Sequence, residues 1–117
     1  MSNIWLDGPP DEVLAALPEQ GEPQRGYAFA FAGSDGQVRV GQCAHPKVTL
    51  QRALNDPKRQ PGISMTRAVF SVAHREQWKT EFHLHNRFAP VRSFGAFFKA
   101  PIDDVVAVLN ELELDRG

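Results

Sequence analysis

The stretch that most constrains the fold is GYAFAFAGSDGQVRVGQC, residues 26–43. Large aromatic residues alternate with alanines over its first half, so the aromatic residues fall on one face of an extended chain and the alanines on the other. Asp35-Gly36 is a dipeptide typical of a tight turn, and the alternation resumes after it with Val38 and Val40. The stretch therefore predicts a β-hairpin. The aromatic residues of its first strand are Tyr27, Phe29 and Phe31.

The remaining apolar patterns predict four helices and one or two further strands. The predicted helices lie near residues 9–17, 46–55 and 74–88 and along the C-terminal stretch PIDDVVAVLNELEL, and the predicted strands lie near 65–73 and within SFGAFFKA. In the last helix the spacing predicts a core-facing stripe of Val105, Val108, Leu109 and Leu112. The patterns together predict an α+β fold with a small mixed or antiparallel central sheet, made of the hairpin plus one or two strands and flanked by helices.

Length and cysteine content limit the class of protein. With 117 residues, of which 42% are hydrophobic, the chain has the size of one ordinary domain with a single core. A single cysteine, Cys43, excludes an intramolecular disulfide and a cysteine-based zinc cluster, which fits a reducing compartment. The sequence contains neither an apolar run of membrane-spanning length nor a signal-peptide pattern at its N-terminus. We therefore expect a cytoplasmic protein with no membrane partner.

Charge is distributed unevenly along the chain. Residues 1–24 hold five acidic residues and no Lys or Arg, and residues 100–117 hold five acidic residues and one Arg. Residues 25–99 hold twelve Lys or Arg against four Asp or Glu, a net charge of +8. We therefore expect an acidic N-terminal helix and linker, a basic central domain and a C-terminal helix packed on that domain. A basic centre is typical of phosphate binding, so the expected partner is nucleic acid, DNA above all, or an acidic protein surface. The alternative is that the acidic ends fold back and neutralise the centre.

The segment EFHLHNRF, residues 81–88, carries the candidate catalytic side chains. On a helix, His83 and His85 point about 200° apart, so they cannot both ligate one metal ion. Glu81 and His85 are four residues apart and share a face, which makes them the useful pair. The alternatives are a solvated Glu81 paired with a neighbouring cation or with His85, and a His85 that bonds a backbone carbonyl. The aromatic residues expected in the core of this region are Trp78, Phe82, Phe88, Phe97 and Phe98.

Several short motifs occur in a characteristic order between residues 26 and 98. They are Gly26-Tyr27-Ala28 (or, shifted by one, Tyr27-Ala28-Phe29), Arg39-Val40-Gly41, Glu81, Leu84-His85, Arg87-Phe88 and Phe97-Phe98. With the predicted elements between them, they resemble the GIY-YIG nuclease superfamily, above all its compact, phage-associated branch. The resemblance implies that the central domain, residues 25–99, has a GIY-YIG-like fold.

The resemblance also implies a chemistry, the metal-dependent hydrolysis of phosphodiester bonds. It implies that Glu81 holds one Mg²⁺ or Mn²⁺ at the scissile phosphate, that Tyr27 or His85 acts on the attacking water, and that Arg52 stabilises the charged phosphate. Contacts with the nucleic acid are expected from five basic residues. They are Arg39, Lys47, Arg52, Lys58 and Arg59.

The sequence departs from the family pattern at central positions. The third residue of the first triplet is Ala28 or Phe29 where the family has a tyrosine, and Thr49 stands where the helix arginine is expected, with Arg52 nearly one turn further on. Two of the three central catalytic groups are thus displaced or lost. Three hypotheses stay open: a metal-dependent endonuclease, a catalytically inactive member that serves as a phage or mobile-element accessory or inhibitor protein, and an unrelated α+β interaction protein.

Overall fold

A computed structural model describes residues 2–56 and 62–117 of the chain. Its helices and strands follow in the order β1 (Ile4–Gly8), α1 (Pro10–Ala16), β2 (Tyr27–Gly33), β3 (Val38–Cys43), α2 (Pro46–Leu54), β4 (Met65–Ser71), α3 (Gln77–Arg87), a 3-10 turn (Ala89–Val91), β5 (Arg92–Phe94), β6 (Phe97–Phe98) and α4 (Ile102–Glu111). The fold is therefore α+β, as the sequence predicts.

The strands form one six-stranded sheet in the order β1-β4-β2-β3-β6-β5. All neighbouring strands are antiparallel. The predicted hairpin is confirmed: β2 pairs with β3 from Tyr27 opposite Cys43 to Ala32 opposite Val38. Strand β4 lies on the other side of β2, so the hairpin occupies the centre of the sheet.

The alternation along β2 divides the core into two layers, one on each face of the sheet. The aromatic face is covered by α1 and α2, and its buried residues are Val13, Leu17, Tyr27, Phe29, Phe31, Leu50, Ala68 and Phe70. The alanine face is covered by α3 and α4, and its buried residues include Ala28, Ala30, Val40, Val69, Leu84, Phe88, Phe98, Val105, Val108 and Leu109. Side chains of successive strand residues point to opposite faces, so α2 and α3 lie on opposite sides of the sheet.

All four helices form close to the predicted positions, but the sheet is larger than predicted. Strand β1 was not expected from the sequence. Its five residues pair with β4 at the edge of the sheet and are at most half-buried. SFGAFFKA, predicted as one strand at most, contributes to the two short strands β5 and β6. Helix α3 begins at Gln77 and not near residue 74, because Glu76 has a positive φ of 55° and His74 pairs with Gly26 in a β-bridge.

Only some of the aromatic residues predicted for the core are buried. Phe88 and Phe98 are buried, and Phe97 is half-buried. Trp78 and Phe82 are 55% and 66% exposed, so their prediction as core residues was wrong. Helix α3 faces the sheet through Leu84 and Phe88, one turn apart, and the side chains at 78 and 82 fall outside that stripe.

The two terminal segments meet at the C-terminal end of α4. The buried Asn3 side-chain amide donates to the carbonyl of Leu109 at 2.9 Å and to that of Leu112 at 2.6 Å. Its side-chain oxygen accepts from Arg116 at 2.8 Å. The Leu109 carbonyl also accepts from the backbone N–H of Leu112 at 3.3 Å, so the Asn3 amide adds a second bond there and supplies a donor to the Leu112 carbonyl just beyond the helix. These bonds attach β1 to α4. None of the described helices is long and apolar enough to cross a membrane.

Candidate nucleic-acid interface

A groove of about 690 Å³ lies on the aromatic face of the sheet, between β3 and α2. It is lined mainly by hydrogen-bonding side chains, among them those of Arg39, Gln42, Thr49, Gln51, Arg52 and Asn55. Two of them, Arg39 and Arg52, were predicted from the sequence as nucleic-acid contacts. The groove therefore brings two guanidinium groups together with amide and hydroxyl groups and with the carboxylate of Asp56.

On the β3 side of the groove, the residues opposite one another on β2 and β3 determine where the Arg39 side chain lies. Arg39 lies directly opposite Phe31, so its side chain points to the aromatic face. Its guanidinium carbon is 5.7 Å from the ring centroid of Phe29, a cation–π contact that holds the side chain over the sheet. Gly41, opposite Phe29, leaves room for that ring, because a Cβ at Gly41 would lie 2.5 Å from it.

The α2 side of the groove comes from one face of that helix. Thr49 and Arg52 are three residues apart and therefore neighbours on the helix surface. Arg52 is in the last turn, where the carbonyl end of the helix dipole favours a positive charge. This face stays open because Leu50 directs the opposite side of the helix into the core.

Ion pairs with the acidic ends neutralise three basic residues of the centre, whereas six others form none with a described residue: Arg39, Arg52, Arg75, Arg87, Arg92 and Lys99. Lys47 pairs with Glu19 at 2.8 Å, Arg25 with Glu22 at 3.5 Å, and Arg67 with both Asp7 at 2.7 Å and Asp103 at 2.6 Å. The acidic ends thus neutralise part of the basic centre, as the alternative interpretation of the charges proposed.

Arg39 and Arg52 make no ion pair with any residue that the structure describes. Asp56 lines the same groove and lowers its net positive charge, but no ion pair among the described residues joins its carboxylate to either arginine. Lys47, also predicted to contact nucleic acid, is neutralised by Glu19. Lys58 and Arg59 lie outside the described residues.

The candidate catalytic residues on α3 lie on the other side of the sheet. Glu81 is half-buried and makes no ion pair with a described residue. Lys79, one of its expected partners, pairs instead with Glu76 at 3.0 Å. The Nε2–H of His85 donates to the carbonyl of Val40 at 2.8 Å, and the ring meets Phe98 edge-on at 5.0 Å between centroids. His85 therefore has the geometry of the alternative in which it bonds a backbone carbonyl.

Tyr27 is on the aromatic face but does not line the groove. It is 3% exposed and stacks on Trp5 with 5.4 Å between ring centroids. Its hydroxyl oxygen accepts from the backbone N–H of Glu22 at 3.2 Å. The structure thus brings Arg39 and Arg52 together, but it does not bring Tyr27, Glu81 or His85 to them.

The residues present offer little for a metal ion. Among residues 2–56 and 62–117, no three His, Cys, Asp or Glu side chains are close enough together to hold one. Glu81 supplies a single carboxylate, and Mg²⁺ bound there would have to complete its octahedron with water and phosphate oxygens. The metal-binding role of Glu81 stays a prediction that rests on the resemblance.

The amide side chains of the groove were not predicted from the sequence: Gln42, Gln51 and Asn55. Glutamine and asparagine are common on exposed surfaces, so their residue type alone does not indicate a site. A usable signal was the polar pair Thr49 and Arg52 along one side of α2, which marks the helix face that lines the groove.

No protein-family model matches this chain, and no curated protein or solved structure proved similar to it. The GIY-YIG resemblance therefore stays a prediction, and the function of the chain has to be inferred from the geometry of the groove.

Proposed function

We propose that this protein binds nucleic acid through the groove between β3 and α2, with Arg39 and Arg52 on the phosphates. The observation that carries the proposal is that these two side chains line one groove while no described carboxylate pairs with them. Lys47 and Arg67, in contrast, have acidic partners. Unpaired cations in a groove attract anions, and low-dielectric walls strengthen that attraction.

The chemistry of the groove suits a sugar-phosphate backbone better than a single carboxylate ligand. A guanidinium group offers paired N–H donors that match two phosphate oxygens at once. The amides of Gln42, Gln51 and Asn55 and the hydroxyl of Thr49 can bond phosphate, sugar or base edges. We propose DNA as the first nucleic acid to test, and a cytoplasmic location on the basis of the single cysteine.

The proposal is one of binding, and cleavage is a separate prediction that the GIY-YIG resemblance implies. An endonuclease would need Glu81, Mg²⁺ or Mn²⁺, and Tyr27 or His85 near the same phosphate. The alternative, an inactive GIY-YIG-like scaffold that serves as a phage or mobile-element accessory or inhibitor protein through protein binding, needs none of these catalytic groups. We favour binding without cleavage, because the groove arginines and Glu81 lie on opposite faces of the sheet.

The binding proposal is tested by fluorescence anisotropy with a labelled DNA oligonucleotide over a range of salt concentrations. We expect Arg39→Gln and Arg52→Gln each to weaken binding by about 5- to 10-fold. Each should also reduce the slope of the logarithm of the binding constant against the logarithm of the salt concentration by about 1. Arg87→Gln is the matched control, because it removes the same charge from an exposed position on α3 at the opposite face. The proposal fails if the folded wild-type protein binds no nucleic acid, or if Arg87→Gln loses as much affinity as the groove variants.

A further inference from the structure

A second hollow, of about 530 Å³, adjoins the groove between β3 and α2 and shares Arg39, Ala53 and Asp56 with it. Its lining is largely apolar and includes Phe31, Met65, Phe94 and Phe97. The carboxylates of Asp35 and Asp56 also line it. The nucleic-acid groove therefore continues from a polar half near α2 to an apolar half near the β5 edge of the sheet. Arg39 stands where the two halves meet.

The floor of the apolar half is a row of side chains across four neighbouring strands. Phe31 on β2 is opposite Arg39 on β3, Arg39 is opposite Phe97 on β6, and Phe97 pairs with Phe94 on β5. Directly opposite residues of antiparallel strands point to the same face, so this row places a cation between aromatic rings. Such a row offers a flat apolar surface and a positive charge side by side.

Phe94 and Phe97 present their rings as a pair. Their centroids are 4.9 Å apart and their planes differ by 24°, so the rings are stacked. The two residues flank a two-residue turn that begins with Gly95, whose φ of +51° favours glycine. Phe94 is 64% exposed, because β5 is the last strand of the sheet. The outer ring of the stack is therefore open to a further planar group.

We propose that this groove binds single-stranded nucleic acid, with an unpaired base stacked on Phe94 and the adjacent phosphate on Arg39. The inference rests on the proposed function and adds the form of nucleic acid that it takes. Base–aromatic stacking occurs with every base, so the site discriminates strand form and not sequence. In a duplex the bases stack on each other and show only their edges in the grooves, so an exposed phenyl face has nothing to stack on.

The charge of the groove favours a nucleic acid over an apolar peptide as the occupant. The aromatic row is continuous with Arg39 and leads to Arg52, neither of which has an ion-pair partner among the described residues. Asp35 and Asp56 also line the hollows, but no ion pair among the described residues joins either of them to Arg39 or Arg52. An apolar side chain would fill the apolar half and make no ionic contact with the two arginines. A base and its phosphate satisfy both halves at neighbouring positions.

The test compares ligands that differ in whether they carry unpaired bases, while all of them carry phosphates. Anisotropy is measured with a labelled oligo-dT strand, with an abasic strand that carries the same phosphates but no bases, and with a blunt duplex. We expect the wild-type protein to bind oligo-dT about tenfold more tightly than the abasic strand. Phe94→Ala removes that preference and leaves affinity for the abasic strand unchanged. Phe82→Ala is the matched control, since Phe82 is equally exposed, at 66%, but lies on α3 at the opposite face.

The outcomes distinguish this inference from the function on which it rests. If Arg39→Gln and Arg52→Gln bind every ligand as the wild type does, the proposed function fails. If those variants lose affinity but oligo-dT, abasic strand and duplex bind equally, with no effect of Phe94→Ala, binding stands and the single-strand inference is wrong. Thymidine monophosphate or poly-glutamate that displaces the strand at equal affinity also overturns it, since the site would then take a free nucleotide or an acidic peptide.

Discussion

At the scale of single residues, His74 shows how burial defines a protonation state. The side chain is 1% exposed. Its Nδ1 lies 2.9 Å from the carbonyl of Val72, which can only accept, so Nδ1 carries the proton. Nε2 then accepts from the hydroxyl of Thr80 at 2.9 Å. Both nitrogens are satisfied in the neutral ring, and a second proton would deprive the Thr80 hydroxyl of its acceptor.

This arrangement predicts that stability falls in mild acid. Burial lowers the pKa of His74 below its usual 6.5, and nearby Arg116 adds to the effect. Below pH 6.5 the unfolded chain therefore takes up a proton that the folded chain does not, so the free energy of unfolding falls as the pH falls. The slope from this one group is at most about 1.4 kcal/mol per pH unit.

The prediction is checked by urea unfolding of the wild type and of His74→Gln between pH 7.5 and pH 5. The other titrating groups contribute equally to both proteins, so only the difference in slope is informative. We expect the variant to be less stable at pH 7.5 and to lose stability more slowly on acidification. Parallel curves would show that His74 does not titrate differently in the folded and unfolded chains.

At the scale of elements, local sequence patterns specify the hairpin and the four helices. The aromatic–alanine alternation of β2 works as a signal because both faces of that strand are buried by different layers, so each residue type has a defined place. Strand β1 could not be predicted in this way. Its five residues, IWLDG, give only a short alternation, and their pairing with β4 joins positions sixty or more residues apart.

Because the Asn3 side chain attaches β1 to α4, we expect its removal to lower the stability of the fold. Asn3→Ala removes the amide donors that serve the carbonyls of Leu109 and Leu112 and leaves them partly buried without that partner. We expect the free energy of unfolding to fall by about 1–3 kcal/mol, measured by urea denaturation. Asn86→Ala, at an exposed position of α3, is the control and should cost nothing. Equal stability of both variants would mean that the terminal contacts contribute little.

At the scale of the whole molecule, the decisive property is the side of the sheet on which each helix packs. The sequence predicted that Arg39 and Arg52 contact phosphate, and the groove contains both. It did not predict that Phe94 lies in the adjoining hollow or that Glu81 lies in the other layer. Helical periodicity identifies the apolar stripe of a helix, but the face of the sheet that covers this stripe depends on connections and on packing across the whole chain.

This arrangement leads to an expectation about cleavage. A phosphate held by Arg39 and Arg52 lies on the aromatic face, whereas Glu81 is on the helix that covers the alanine face. The phenol of Tyr27 is buried and accepts a hydrogen bond from the backbone. Hydrolysis requires the metal ligand, the attacking water and the phosphate within bonding distance of one another. We therefore expect nucleic-acid binding without hydrolysis.

The measurement is the incubation of the pure protein with supercoiled and with branched DNA, in Mg²⁺, in Mn²⁺ and with a chelator, beside Glu81→Ala. We expect both proteins to bind DNA and neither to nick it. Metal-dependent nicking by the wild type that disappears in Glu81→Ala would contradict the expectation and establish the GIY-YIG chemistry. Nicking that persists in Glu81→Ala would point to a metal site elsewhere or to a contaminating nuclease, and a second purification would separate the two. Because Glu81 is half-buried and unpaired among the described residues, its replacement by alanine leaves no described charge without a partner and should preserve the fold.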